Sequence, residues 1–89
     1  MLHHISLKDI KRSMKVDVLV AEIGSTTTIV NAFNLFEQPL NFIGRGFAQT
    51  TVKTDVTLGL NEAITNLKIN LNIDELTYSE MFATSSAAG

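Results

Sequence analysis

The chain reads as an α/β fold with the order β-β-β-α-β and a mixed sheet, and three observations predict it. Three short runs rich in Val, Ile, Thr and Phe are parted by turn residues, which is the mark of successive strands. One later stretch, from Val56 to Leu71, carries its apolar residues at three- and four-residue steps, the period of an amphipathic helix. A last apolar run, Met81-Phe82-Ala83, follows that helix.

The first strand is expected over Val16–Ile23, where nearly every residue is apolar and many are β-branched. Gly24 interrupts the run, and Ser25, Thr26, Thr27 and Thr28 follow. The second strand is expected from Thr27 to Leu35, apolar at odd and even positions, as near the middle of a covered sheet. Glu37-Gln38-Pro39 marks the next turn, since Pro39 has no N–H for a ladder. The third strand spans roughly Asn41–Gln49, with Gly44 and Gly46 marking a bulge or a close backbone approach. Gly44-Arg45-Gly46 is not half of a dinucleotide fingerprint: Gln49 stands where the third glycine belongs, and no helix opens there. Arg45 reads as an exposed surface arginine.

Thr54 or Asp55 caps the helix. Val56, Leu60, Ala63, Ile64, Leu67 and Leu71 form its apolar face, Gly59 weakens it, and Asn70 and Asn72 end it. A loop then carries Asp74 and Glu75. Met81–Ala83 is expected as a short buried strand, with Thr84 to Gly89 as the loop leaving it. Short turns make the first three strands an antiparallel meander, and the helix crosses over to lay the fourth parallel to the first. That topology brings the Gly24 turn and the Thr84–Gly89 loop to one sheet end.

Composition bounds the function. With 89 residues, 45% hydrophobic and 18% charged, the chain fits one small domain. A net charge of -2 without a basic stripe argues against nucleic acid. The absence of cysteine excludes disulfides and thiolate metal sites. No apolar run approaches the ~20 residues that cross a membrane, and the start MLHHISLKDIKRSMK lacks a signal core, so a cytoplasmic protein is expected. Residues 1–15 read as an N-terminal arm, in which adjacent His3 and His4 make an improbable metal pair. No phosphate-loop sequence and no Ser–His–Asp arrangement occurs, and Asp55, Asp74 and Glu80 read as solvated or capping groups, so no catalytic residue is assigned.

The chemistry concentrates at Glu22–Thr28. Backbone N–H groups converging in a tight turn, with Ser and Thr hydroxyls beside them, suit a phosphate. A preceding carboxylate repels phosphate unless a cation such as Mg²⁺ lies between them through water, and Glu22 stands in that place. The other local reading is a strand-end charge followed by ordinary β-propensity, and by itself the short motif favours it.

The segment AEIGSTTT resembles the first phosphate motif of the actin, heat-shock chaperone and sugar-kinase ATPase superfamily: an acidic residue, any residue, Gly, Ser or Thr, then Thr. DVLVAEIGSTTTIVNAF, then FIGRGFAQTTVKTDVTLGLNEAI, then EMFATSSAAG together resemble the MutL/GlmL family, from about Asp17 to Gly89. These actin-like proteins accompany adenosylcobalamin-dependent glutamate mutase and include relatives tied to ornithine degradation; they are unrelated to the mismatch-repair protein of the same name. The resemblance implies a ribonuclease-H-like fold, of which residues 16–89 form the N-terminal half. It implies ATP and Mg²⁺ as ligands. Gly24, Ser25, Thr26, Thr27, Thr84 and Ser85 would hold the nucleotide, and Glu22 the metal through water; for Thr84, Ser85 and Ser86 a purely structural turn is the other reading. It implies an accessory role, reactivating a mutase or aminomutase by exchange of damaged cofactor. Many superfamily members carry Asp where this chain has Glu22. That departure and the short length support the alternative, an interaction module that keeps the fold without turnover. The 89 residues alone are expected not to hydrolyse ATP, and their uncovered sheet surface is expected to drive self-association or require a partner.

Overall fold

The computed structural model describes residues 11–35, 41–51 and 55–86. Five elements follow one another: β1 (Ser13–Ile23), β2 (Thr27–Asn34), β3 (Asn41–Gln49), α1 (Val56–Leu71) and β4 (Glu75–Ser85). The strands form one sheet in the order β3-β2-β1-β4. β1–β2 and β2–β3 pair antiparallel and β1–β4 parallel, so the sheet is mixed and the expected meander and crossover are present. The expected fold class holds at this level, an α/β chain with four strands and one helix. Among the described residues, no helix is long and apolar enough to cross a membrane.

The helix rests on β3 and β2, with a lesser contact on β1. Its fully buried side chains are Ala63 and Leu67, and they meet Leu19 and Ala21 of β1 and Val30 and Ala32 of β2 in one core. Leu60, Ile64 and Leu71 pack at its margin, as their spacing predicts. Val56 is exposed, and Gly59 takes the buried place instead. A side chain at Gly59 would stand 2.6 Å from the Gln49 carbonyl, so the residue that weakens the helix also lets it approach the end of β3.

Gly46 does the same at the centre. A Cβ there would strike the Ala63 carbonyl oxygen and lie 2.5 Å from the Leu67 backbone nitrogen. At Gly44 it would lie 2.7 Å from a Leu71 methyl. Both glycines permit close approach, and the register between β2 and β3 shifts beside Gly44, where Ala32 pairs Gly44 and Phe33 pairs Phe42. This irregularity turns Phe42 onto the face away from the helix, where its ring meets Phe33 at 5.7 Å. The free edge of β3 is closed by the helix: Asn66 Oδ1 accepts the Phe47 N–H, and Asn70 Nδ2 donates to the Arg45 carbonyl. Asn70 therefore does not end α1. Asn72 does, in the left-handed region at φ 56°, and the carbonyls of Ile69 and Lys68 are closed by the N–H groups of Asn72 and Ile73. Asp55 is the N-cap, accepting the Thr57 N–H; Thr54 lies outside the described residues.

One element departs from expectation. β4 is not a short buried strand at Met81–Ala83 but an eleven-residue strand from Glu75, and it is largely exposed. Thr84 and Ser85 belong to its end rather than to the loop beyond it. The physical reason is its position at the sheet edge: backbone pairing to β1 holds it along its whole length, from Ser13↔Glu75 to Ile23↔Ser85, with no need of an apolar side-chain run. β1 likewise begins at Ser13, and residues 11–12 clasp the start of β4. Arg12 accepts from the Asp74 N–H at 2.7 Å and donates its own N–H to the Asp74 carboxylate, while Lys11 pairs with Glu75 at 3.0 Å. His3, His4, Pro39 and Gly89 lie outside the described residues.

Candidate functional site

The end of β1, the turn after it and the end of β4 line an open cavity of about 350 Å³. Its lining is Glu22, Ile23, Gly24, Thr27, Ile29, Thr84, Ser85 and Ser86. Parallel pairing produces the juxtaposition, since Glu22 pairs Thr84 and Ile23 pairs Ser85, and the Ser86 N–H donates to the Ile23 carbonyl at 3.0 Å. Residues 62 positions apart in sequence thus share one sheet end. Five of the residues expected to serve the site, Glu22, Gly24, Thr27, Thr84 and Ser85, meet there. Ser25 and Thr26 form the exposed tip of the turn and do not line the cavity.

The turn is closed by the Gly24 N–H donating to the Thr27 carbonyl at 3.0 Å. The Thr26 carbonyl accepts the Thr50 N–H at 2.9 Å, and the Thr50 and Thr28 hydroxyls meet at 2.9 Å. The hydroxyls therefore divide by position. Thr28 is fully buried and engaged with Thr50, while Thr27 is exposed at the cavity. The N–H groups of Ser25 and Thr26 make no hydrogen bond to another described residue, so they remain available as donors. A Cβ at Gly24 would lie 3.0 Å from the Thr27 carbonyl oxygen, and the glycine backbone is not in the left-handed region. Space against Thr27, not an unusual angle, is what a side chain at this position would violate.

Glu22 is an exposed carboxylate beside four hydroxyl-bearing residues, Thr27, Thr84, Ser85 and Ser86. Among the described residues there is no group of three His, Cys, Asp or Glu side chains that could encage a metal. One carboxylate with neutral oxygens around it suits a hard cation that keeps most of its water, and Mg²⁺ is such an ion. Ile23 and Ile29 also line the cavity but were not singled out from sequence, and Ser86, read there only as part of the Thr84–Gly89 loop, lines it too. Ile29 carried a usable signal: it faces Glu22 across the β1–β2 pair once the turn length is known.

No match to the chain is found among curated proteins or among solved structures. The profile of the MutL protein family matches residues 18–89, which takes in all of β2, β3, α1 and β4, most of β1, and every residue of the cavity. On that match the chain belongs to the MutL protein family.

Proposed function

We propose that this chain is the phosphate-holding N-terminal part of an actin-like, ATP-binding accessory protein. It would reactivate an adenosylcobalamin-dependent mutase or aminomutase. One observation carries the reading: Glu22, Gly24 and Thr27 of the first turn and Thr84 and Ser85 at the end of β4, distant in sequence, line one cavity. The family match is consistent with it.

In this reading the Ser25 and Thr26 N–H groups and the Thr27, Thr84 and Ser85 hydroxyls donate to phosphate oxygens, a neutral donor set that tolerates several phosphate charges. Mg²⁺, when bound, supplies the positive charge that lets Glu22 and a phosphate share the site. Gly24 admits the ligand to the turn by carrying no side chain. The mutase is the proposed partner, reached by coupling nucleotide state to the shape of the sheet end.

The test is calorimetric titration of ATP with and without Mg²⁺, on the chain as it stands and after Glu22→Gln. Metal-dependent affinity, weakened by Glu22→Gln more for Mg-ATP than for free ATP, is the expected result. Equal weakening of both would make Glu22 a structural charge. No binding at about 1 mM ATP, a free energy of only about 4 kcal/mol, would favour the interaction module without turnover.

A further inference from the structure

The turn after β1 does not fix its own shape. Ser25 and Thr26 join Gly24 to Thr27, and a hairpin loop of that length ordinarily needs a positive φ at its first central residue. Neither Ser25 nor Thr26 has one; among the described non-glycine residues only Asn72 does. The Gly24 N–H donates to the Thr27 carbonyl, but among the described residues the Thr27 N–H makes no return bond to the Gly24 carbonyl. The anchor comes instead from Thr50, just past β3. Its N–H donates to the Thr26 carbonyl at 2.9 Å, and its hydroxyl meets that of Thr28 at 2.9 Å.

The first of these bonds sets a direction. In a planar trans peptide the C=O and the following N–H point opposite ways. With the Thr26 carbonyl turned to the β3 side, the Thr27 N–H points towards β1, whose end lines the cavity. The second bond sets a distance. Thr28 is fully buried, so its hydroxyl needs a partner, and Thr50 supplies it. Two oxygens at 2.9 Å hold the start of β2 nearer to Thr50 than two methyl groups could, since carbons in contact stay about 3.5–4 Å apart. Thr50 is itself backed by the helix. The next residue, Thr51, donates its hydroxyl to the Asp55 carbonyl and accepts the Gly59 N–H at 2.9 Å. The turn therefore takes its position from the first turn of α1 by way of Thr50 and Thr51.

We infer that Thr50 is a positioning residue of the phosphate turn, an inference that rests on the phosphate reading proposed above. Its N–H and hydroxyl hold Thr26 to Thr28 so that the Thr27 N–H joins those of Ser25 and Thr26 as a donor to phosphate oxygen. Thr50 does not line the cavity and touches no ligand; it acts through Thr26 and Thr28.

Calorimetric titration of the 89-residue chain with Mg-ATP tests this, in Thr50→Val, Thr50→Ser and the double variant Thr28→Val with Thr50→Val. Circular dichroism and denaturant unfolding are followed beside it. Thr50→Val keeps the shape but leaves the buried Thr28 hydroxyl unpaired, so it is expected to lose stability, and the double variant, with both hydroxyls gone, to recover most of it. Affinity is expected to part from stability. It falls about fivefold to tenfold in Thr50→Val, the worth of one hydrogen bond, and stays low in the double variant, whose facing methyl groups push the turn outward. Thr50→Ser keeps the hydroxyl and binds within about twofold of the original chain. In a nitrogen-labelled original chain the Thr27 amide resonance moves on adding Mg-ATP, together with those of Ser25 and Thr26. Unchanged affinity in Thr50→Val, an affinity that recovers with stability in the double variant, or a still Thr27 amide in a chain that binds would each overturn the role of Thr50 and leave the phosphate reading standing. An original chain that binds no Mg-ATP would overturn both. Should Thr50→Val fail to fold, the double variant and Thr50→Ser decide by the same comparison.

Discussion

Arg45 and Gly46 are neighbours that face opposite ways: Arg45 bonds Asn31 and lies over Phe42, while Gly46 meets the helix. Gly46 is the position where α1 comes closest to β3, and the obstacle to any side chain there is backbone, which cannot rotate away. Gly46→Ala is therefore expected to lower stability by about 3 kcal/mol, the upper range for overpacking, read from denaturant unfolding. A shift under about 1 kcal/mol would mean that the helix rides away from the strand at little cost. Gly24 is constrained more gently, by the single Thr27 carbonyl. Gly24→Val should leave the fold standing but reduce phosphate or ATP affinity at least about tenfold, because the branched side chain crowds the turn and the approach to its N–H groups. Unchanged affinity would move the phosphate site elsewhere. At this scale the sequence was informative about type but not about partner. Gly44 and Gly46 were legible as a bulge or a close approach, whereas Ala63 and Leu67, the atoms approached, lie about 20 residues away and enter only through folding.

At the scale of elements, α1 shows how local signals are read correctly and incompletely. Its bounds and both caps follow from Asp55 and Asn72. The Thr57 N–H that Asp55 accepts holds its carboxyl below the ordinary value of 3.8. Hydrogen bonding and charge from Lys11 likewise hold Glu75 below 4.5. Both folded values lie below the unfolded ones, so their contributions are present above the ordinary carboxylate range and are lost as pH falls through the folded values. Thermal unfolding near neutral pH and at about pH 3 should show the loss, and Asp55→Asn should show less of it, because the amide keeps the acceptor and does not titrate. An acid sensitivity identical in Asp55→Asn would remove Asp55 as a contributor. β4 is the opposite case. Its polar alternation hid an eleven-residue strand, since what holds it is the β1 backbone and not its own side chains.

At the scale of the whole molecule, the cavity sits at an exposed sheet end with Glu22 as its one lining carboxylate among the described residues. Phosphates held there stay open to water, so the electrostatic gain of a closed cleft is lost. The 89-residue chain is expected to release no phosphate from ATP in steady turnover. Release that disappears in Gly24→Val would show that one phosphate turn suffices.

The order of elements, the helix and its caps, the turn at Gly24 and the resemblance of three blocks to one family were written in the chain, because each depends on residues within a few positions of one another. The family match bears out that resemblance over residues 18–89. Three things were decided only by the tertiary structure. The full length of β4 came from pairing at an offset of 62 residues. The meeting of Glu22 with Thr84 and of Ile23 with Ser85 came from that same register. The outward turn of Phe42 came from the irregular pairing beside Gly44, which strict alternation along β3 would have placed on the helix side. In each case the deciding contact is a backbone pairing between distant strands, whose register depends on the fit of the whole sheet under α1 and so leaves no local mark in the sequence.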